Sequence, residues 1–126
     1  MAEKLPHELL YSRDHSWVKA EGDVATVGIT APAAAKVKEF VFIKLPKKGR
    51  IRRGDTYVSL EAVKWSGHLS SPVSGDVVEV NAPLYDEPSM INRDPYGSWI
   101  MKVRMSDADE LKELLTADGL AKAGGA

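Results

Sequence analysis

Pro46-Lys47-Lys48-Gly49-Arg50-Ile51 is echoed downstream by Pro72-Val73-Ser74-Gly75-Asp76-Val77. Each copy reads as a Pro-x-x-Gly turn feeding a strand. Two similar β-units of this size can pair about a pseudo-two-fold axis, which predicts a flattened barrel or sandwich. The segment between the copies, residues 56–71, is then a hairpin joining the two halves.

Outward from this core the chain is punctuated into short elements. Upstream, His15–Lys19 and Asp23–Ile29 alternate apolar and polar residues around Glu21-Gly22, which predicts a hairpin with Trp17, Val24, Val27 and Ile29 on its buried side. Thr30 followed by Pro32 starts a helix of about two turns through the Ala33–Glu39 run. Phe40–Leu45 then returns to a strand pattern. Thr56–Val63 is the first arm of the connecting hairpin, and Ser66-Gly67 its expected turn. Downstream, Asp76–Asn81 reads as a strand. Pro83, Pro88 and Pro95 leave room for one short helix near Glu87–Asn92, and Ser98–Met105 alternates as a last strand. Ser106 is the expected N-cap of a C-terminal helix with Leu111, Leu114 and Leu115 on its inner face and Gly119 closing it.

Composition removes whole classes of function. The chain has 126 residues, enough for one domain with a core, and 17 basic against 18 acidic side chains. It has no cysteine, which excludes a disulfide scaffold, a thiolate zinc site and an encoded redox pair. The start, Met1–His7, has no apolar leader, and the longest uninterrupted aliphatic and aromatic run is Phe40–Ile43, so a cytoplasmic protein without a membrane partner is expected. His7, His15 and His68 have no metal-ligand spacing, and no glycine-rich phosphate loop is present. A stand-alone enzyme and a metal site are therefore not expected.

The connecting hairpin carries the candidate chemistry. Its centre reads Glu61-Ala62-Val63-Lys64-Trp65-Ser66-Gly67-His68, and no Asp, Glu, Lys or Arg occurs from Trp65 to Gly75. Lys64 should project from the exposed end of the sheet. An uncharged, partly apolar surround suits repeated docking, because little charge is desolvated at each encounter. By position alone Lys64 is an ordinary loop lysine. A Schiff-base role would require a desolvated pocket that a hairpin tip does not offer.

Glu61-x-Val63-Lys64 followed by Ser71-Pro72-Val73-Ser74-Gly75-Asp76-Val77 resembles the lipoyl-lysine hairpin of the glycine cleavage system H-protein family. Tyr11-Ser12 with His15-x-Trp17, Val27–Thr30, Val41-Phe42 with Leu45-Pro46, Gly54-Asp55, Asn81, Ile91–Gly97 and Trp99-Ile100 are similar to that family in the same order. The resemblance implies a mainly β lipoyl-domain fold, a barrel-sandwich hybrid with short helices, its lysine at a hairpin tip, and a C-terminal helix. It implies one carrier domain over residues 1–120 and a flexible tail over 121–126. It also implies lipoic acid joined covalently to Lys64, with Glu61 read by the attaching enzyme, a lipoate ligase or a lipoyl/octanoyl transferase. The arm would shuttle an aminomethyl group among the decarboxylase, the aminomethyltransferase and dihydrolipoyl dehydrogenase, the protein itself being a non-catalytic carrier.

Three departures from the family bear on the pathway. Trp65 follows the lysine where small residues are usual, either covering the hairpin's own apolar side or serving as a platform for the arm or a partner. Within the same departure, His68 occupies an acidic position, as a turn residue or a proton carrier. Lys44, Lys47, Lys48, Arg50, Arg52 and Arg53 place six cations in ten residues, either a solvated hairpin or a docking surface. The third departure is the shortened stretch Gly97-Ser98-Trp99. These features are similar to lipoate-binding relatives serving a heterodisulfide-reductase-like sulfur-oxidising complex, whose arm would carry sulfur. The basic run beside Phe42 and Tyr57 also leaves a nucleic-acid-binding barrel as a more remote alternative, although the near-neutral total charge opposes it and no nucleic-acid partner is expected.

Overall fold

The computed structural model describes residues 5–123 and is mainly β. Among the described residues nine strands form two antiparallel sheets. The larger sheet contains β1 (Leu10–Tyr11), β2 (Ser16–Glu21), β3 (Val24–Ile29), β5 (Gly49–Ile51), β8 (Gly75–Val80) and β9 (Met101–Met105), in the order β1-β2-β3-β9-β8-β5. The smaller sheet contains β4 (Phe40–Lys44), β6 (Thr56–Ala62) and β7 (Trp65–Ser70), in the order β4-β6-β7. Among the described residues no helix is long and apolar enough to cross a membrane.

The echoed turns meet each other. Gly49 pairs with Val77, Arg50 with Asp76 and Ile51 with Gly75, so the two copies lie antiparallel with Arg50 and Asp76 at the centre. This is the pseudo-two-fold relation expected from the repeat. Gly75 is the tightest point of the seam: its φ is +156°, and a Cβ there would collide with the backbone carbonyl of Arg104 on β9. Only glycine lets β8 approach β9 so closely.

The main core lies between the sheets, where Val18, Val27, Ile43, Leu60, Val73, Val103 and their neighbours are buried. Ser16 on β2 and Tyr57 on β6 bridge it through a hydroxyl pair at 2.7 Å, both residues buried. The first hairpin corrects the expectation for Trp17. Val18 is opposite Val27, whereas Trp17 is opposite Gly28, so Trp17 lies on the other face from Val27 and Ile29, and Val24 lies on the Trp17 side, half-buried. Both faces of this hairpin are covered, and simple alternation therefore misassigns one of them. The Trp17 indole lies over Gly28, where a Cβ would come within 2.6 Å of the ring. Leu9, Tyr11, Ala117 and Leu120 complete that second cluster.

The helices are shorter and more numerous than expected. α1 (Ala31–Lys36) is capped by Thr30, whose hydroxyl accepts from the Ala33 amide. The single helix expected near residues 87–92 is two, α2 (Pro83–Asp86) and α3 (Met90–Arg93), separated around Pro88. They are anchored by the fully buried Leu84 and Ile91, worth roughly 1.5–3 kcal/mol each as buried side chains. The C-terminal region also departs from expectation. Asp107, not Ser106, caps a 3-10 helix at Ala108–Glu113, and Thr116 caps a separate α4 (Ala117–Lys122). Leu111 and Leu114 are half-buried against the main core and Leu115 against the second cluster, so no single helical face carries them. Gly119 sits inside α4, and this helix runs past residue 120 into the expected tail. The remainder of that tail, 124–126, and residues 1–4 of the leader region lie outside the described residues.

The seam makes a specific demand on glycine. Gly75→Ala should cost at least about 2 kcal/mol through forced displacement of packed backbone. Gly22→Ala, at φ +63° with open space around it, should cost only about 1–2 kcal/mol. Urea unfolding of both variants checks the ranking; equal midpoints would show that β8 can move off β9 freely. Burial also pushes the Tyr57, Tyr11 and Tyr96 hydroxyls above the usual phenol range. An unfolded phenol ionises near 10, so above that pH the unfolded state binds fewer protons than the native one. Stability should be undiminished below about pH 10 and fall as pH rises toward the native values. Tyr57→Phe should cost about 1 kcal/mol at neutral pH and flatten the alkaline fall in Tm, as a thermal melt series would record.

Candidate functional site

The β6–β7 hairpin is paired to its end: Leu60 lies opposite Gly67, Glu61 opposite Ser66 and Ala62 opposite Trp65. Val63 and Lys64 alone form the turn, three residues earlier than the Ser66-Gly67 turn expected from the sequence. The physical reason lies in the indole of Trp65. It folds over Gly67, where a Cβ would meet the ring at 2.6 Å, so this glycine makes room for a ring within the strand. Neither turn residue needs positive φ, which makes β-branched Val63 acceptable there.

Lys64 is exposed at this tip, and Val63 beside it is 85% exposed. Among the described residues Lys64 takes part in no ion pair or side-chain hydrogen bond. The expected site residues separate onto two faces. Glu61 is exposed on the outer face in a cross-strand row with Phe42 and Ser66, and exposed His68 is in the next row with Ser59 and Lys44. Trp65 shares the opposite face with Ala62; its ring centroid is 6.0 Å from that of Phe40, and 45% of the residue remains exposed. Trp65 thus rests one side of its ring on the buried Phe40 and keeps the other to solvent.

A half-open groove of about 650 Å³ runs beside the tip. Lys36–Glu39 and Val41 form one wall; Ala62, Val63, Lys64 and Trp65 form the other. Asn92 holds the first wall in place. Its side-chain oxygen accepts from the Phe40 amide at 2.9 Å, and its nitrogen donates to the Ala34 and Val37 carbonyls at 3.2 and 3.3 Å. Val41 is the extra residue of a bulge between Phe40 and Phe42 and is pushed outward. Exposed Phe42 packs edge-on against Tyr85 of α2, with centroids 6.3 Å apart. Sequence reasoning missed the groove wall and this aromatic pair. An uninterrupted Phe-Val-Phe-Ile run has no period from which an outward residue can be read.

The basic residues gather away from the tip. Lys44 ends β4, Lys47 and Lys48 lie in the connection to β5, Arg50 is on β5, and Arg52 and Arg53 are in the turn before β6. All six are exposed. Among the described residues no group of three or more His, Asp or Glu is arranged to hold a metal ion.

An exposed lysine on a two-residue turn between the halves of a repeat-built β-sandwich is the arrangement that the sequence resemblance implied. Comparison with known proteins points the same way. The glycine cleavage H-protein family matches residues 9–124. The glycine cleavage system H protein of Staphylococcus haemolyticus is 46% identical over 116 residues, covering 90% of this chain and 92% of that protein. Its counterpart from Staphylococcus epidermidis is 45% identical over the same shares. The crystal structure of a glycine cleavage system H protein from Mycobacterium marinum superposes with a TM-score of 0.86 at 35% identity, covering 97% of this chain and 100% of that one. The chain therefore belongs to the glycine cleavage H-protein family.

Proposed function

We propose that this protein is the non-catalytic lipoyl carrier of a cytoplasmic glycine cleavage system, a single carrier domain with lipoic acid amide-linked to Lys64. The observation that carries the reading is Lys64 standing at the tip of a hairpin paired right up to its turn, in a chain matched along nearly its whole length to H proteins. Lipoic acid, when attached, supplies a dithiolane that opens on reduction, carries a group on sulfur and is reoxidised. The chain's own contribution is mechanical. Six cross-strand pairs from Thr56–Ser70 to Ala62–Trp65 hold the root of the arm, while the two-residue turn leaves Nζ clear of the sheets.

The surroundings suit such a group. The groove beside Lys64 is walled in part by Val37, Val41, Ala62, Val63 and Trp65, apolar surface matched to an aliphatic chain. Acylation turns the Lys64 ammonium into a neutral amide, and no ion pair among the described residues is broken by that change. Exposed Glu61, on the outer face three residues before the lysine, is placed for reading by a lipoate ligase or a lipoyl/octanoyl transferase. The decarboxylase, aminomethyltransferase and dihydrolipoyl dehydrogenase are the partners that the family supports. The relatives named above are glycine cleavage proteins, which favours this reading over the sulfur-oxidising alternative.

Coexpression with a lipoate-attaching enzyme should add a single lipoyl increment to the intact mass, and Lys64→Arg should abolish it. An unmodified wild-type mass, or an increment surviving Lys64→Arg, would refute the assignment. Glu61→Ala should slow attachment severalfold without moving the urea midpoint, because the side chain is exposed and makes no bond that the fold requires.

A further inference from the structure

Apolar surface stands in solvent beside the lysine that would carry an apolar arm. Among the described residues the exposed large hydrophobic side chains are Val41, Phe42, Val63, Trp65 and Tyr85, and three of these five line the groove next to Lys64. Each of the three is held outward by a local device. The bulge between Phe40 and Phe42 turns Val41 out of the core. The two-residue turn leaves Val63 in the open. The Trp65 indole rests over Gly67, whose missing Cβ makes room for it, and against the buried Phe40. Its second side stays open. The opposite wall is equally fixed, because Asn92 ties down the Ala34 and Val37 carbonyls.

We propose that Trp65 is a positioning residue for the arm: its open indole side and the groove beyond it seat the unloaded lipoyl chain, withdrawing the dithiolane from solvent between encounters. The inference rests on the lipoyl-carrier reading above and deepens it, by naming where this chain keeps the group it carries. The occupant is set by connectivity. Lys64 itself lines the groove, so whatever is joined to its Nζ is tethered at the rim. Its chemistry matches the lining, because an aliphatic chain ending in a disulfide ring suits apolar walls, and sulfur makes favourable contacts with aromatic rings. A volume of about 650 Å³ is that of a small-molecule site. Both walls are already set, so seating costs mainly the arm's own freedom.

Charge makes the groove sensitive to the modification. Its rim holds the ammonium groups of Lys36 and Lys38 against one carboxylate, Glu39, all three residues exposed. An unmodified Lys64 adds a third ammonium, which gains nothing from apolar surface and is repelled by the other two. Acylation removes that charge, so the modified side chain enters where the free lysine does not. The outer face of the hairpin offers no equal place. Glu61, His68 and Lys44 lie on it, and the Phe42 ring there is engaged edge-on with Tyr85.

A competing role for Trp65 is to cover Phe40 and nothing more. Accessibility of the dithiolane separates the two roles, because covering Phe40 leaves the arm in solvent. The test reduces lipoylated protein with a neutral water-soluble phosphine and follows the gain of two hydrogens by intact mass. A lipoyl-lysine peptide is the unseated reference. With nine arms in ten seated, the ring opens about tenfold more slowly than in the peptide. Trp65→Ala should recover most of the peptide's rate. So should Val41→Lys, which charges the groove from a side chain that is 55% exposed and leaves the contact of Trp65 with Phe40 in place. Tyr85→Ala removes an exposed ring outside the groove and should react as slowly as wild type. Wild type reacting at the peptide's rate overturns the seat, and so does either groove variant reacting as slowly as wild type. If wild type carries no lipoyl increment, the carrier reading itself falls; any rate measured on a loaded chain leaves that reading standing.

Discussion

Everything distinctive about this molecule depends on the antiparallel pairing of residues 49–51 with residues 75–77. That short seam attaches β5 to the large sheet and closes the approach of β8 to β9. It also fixes both ends of the intervening chain, so the β6–β7 hairpin must leave the seam and return to it. The root of the hairpin is secured again where Ser71 and Asp55 exchange backbone contacts: the Ser71 amide donates to the Asp55 carbonyl at 2.7 Å, and the Gly54 amide donates to the Ser71 carbonyl at 2.9 Å. The seam itself is tied to the C-terminal region. Glu110 of the 3-10 helix accepts from both the amide and the hydroxyl of Ser74, at 2.6 and 2.9 Å. Residues distant in sequence thus converge on one turn, and the lysine is positioned by that convergence.

Much of this was legible because the physics involved is local. The two Pro-x-x-Gly turns, the Thr30 cap and the alternation in β9 are each set by neighbouring residues, and each was found. What escaped depends on contacts between segments. The side of β2 that carries Trp17 is decided by α4 and the N-terminal segment packing on it, not by the pattern in β2. The helix expected near 87–92 starts only after Pro88, with a second short helix before it, and splitting of the C-terminal helix follows from competing caps at Asp107 and Thr116. Two adequate caps within ten residues give two short helices.

Glycine illustrates the same limit at the site. Gly67 reads as a turn residue, yet like Gly28 it lies under a tryptophan ring within a strand. The lysine was found through its flanking residues and its family likeness, not through its own chemistry. The groove wall at Lys36–Glu39 was invisible because Asn92, over fifty residues away, places it. The division of Glu61 and Trp65 onto opposite faces follows from strand parity once the turn is correctly set at Val63-Lys64.

The two-residue turn has a consequence for how this chain can vary. Among the described residues Lys64 has no partner, so the energetics of folding are nearly indifferent to which side chain stands there. Stability neither favours the lysine nor opposes its replacement. Whatever keeps a lysine at that position must act through the enzymes that modify and visit it. The sequence around it, by contrast, answers to the fold at Leu60, Gly67 and Trp65. A single hairpin therefore carries two independent kinds of constraint, interleaved residue by residue.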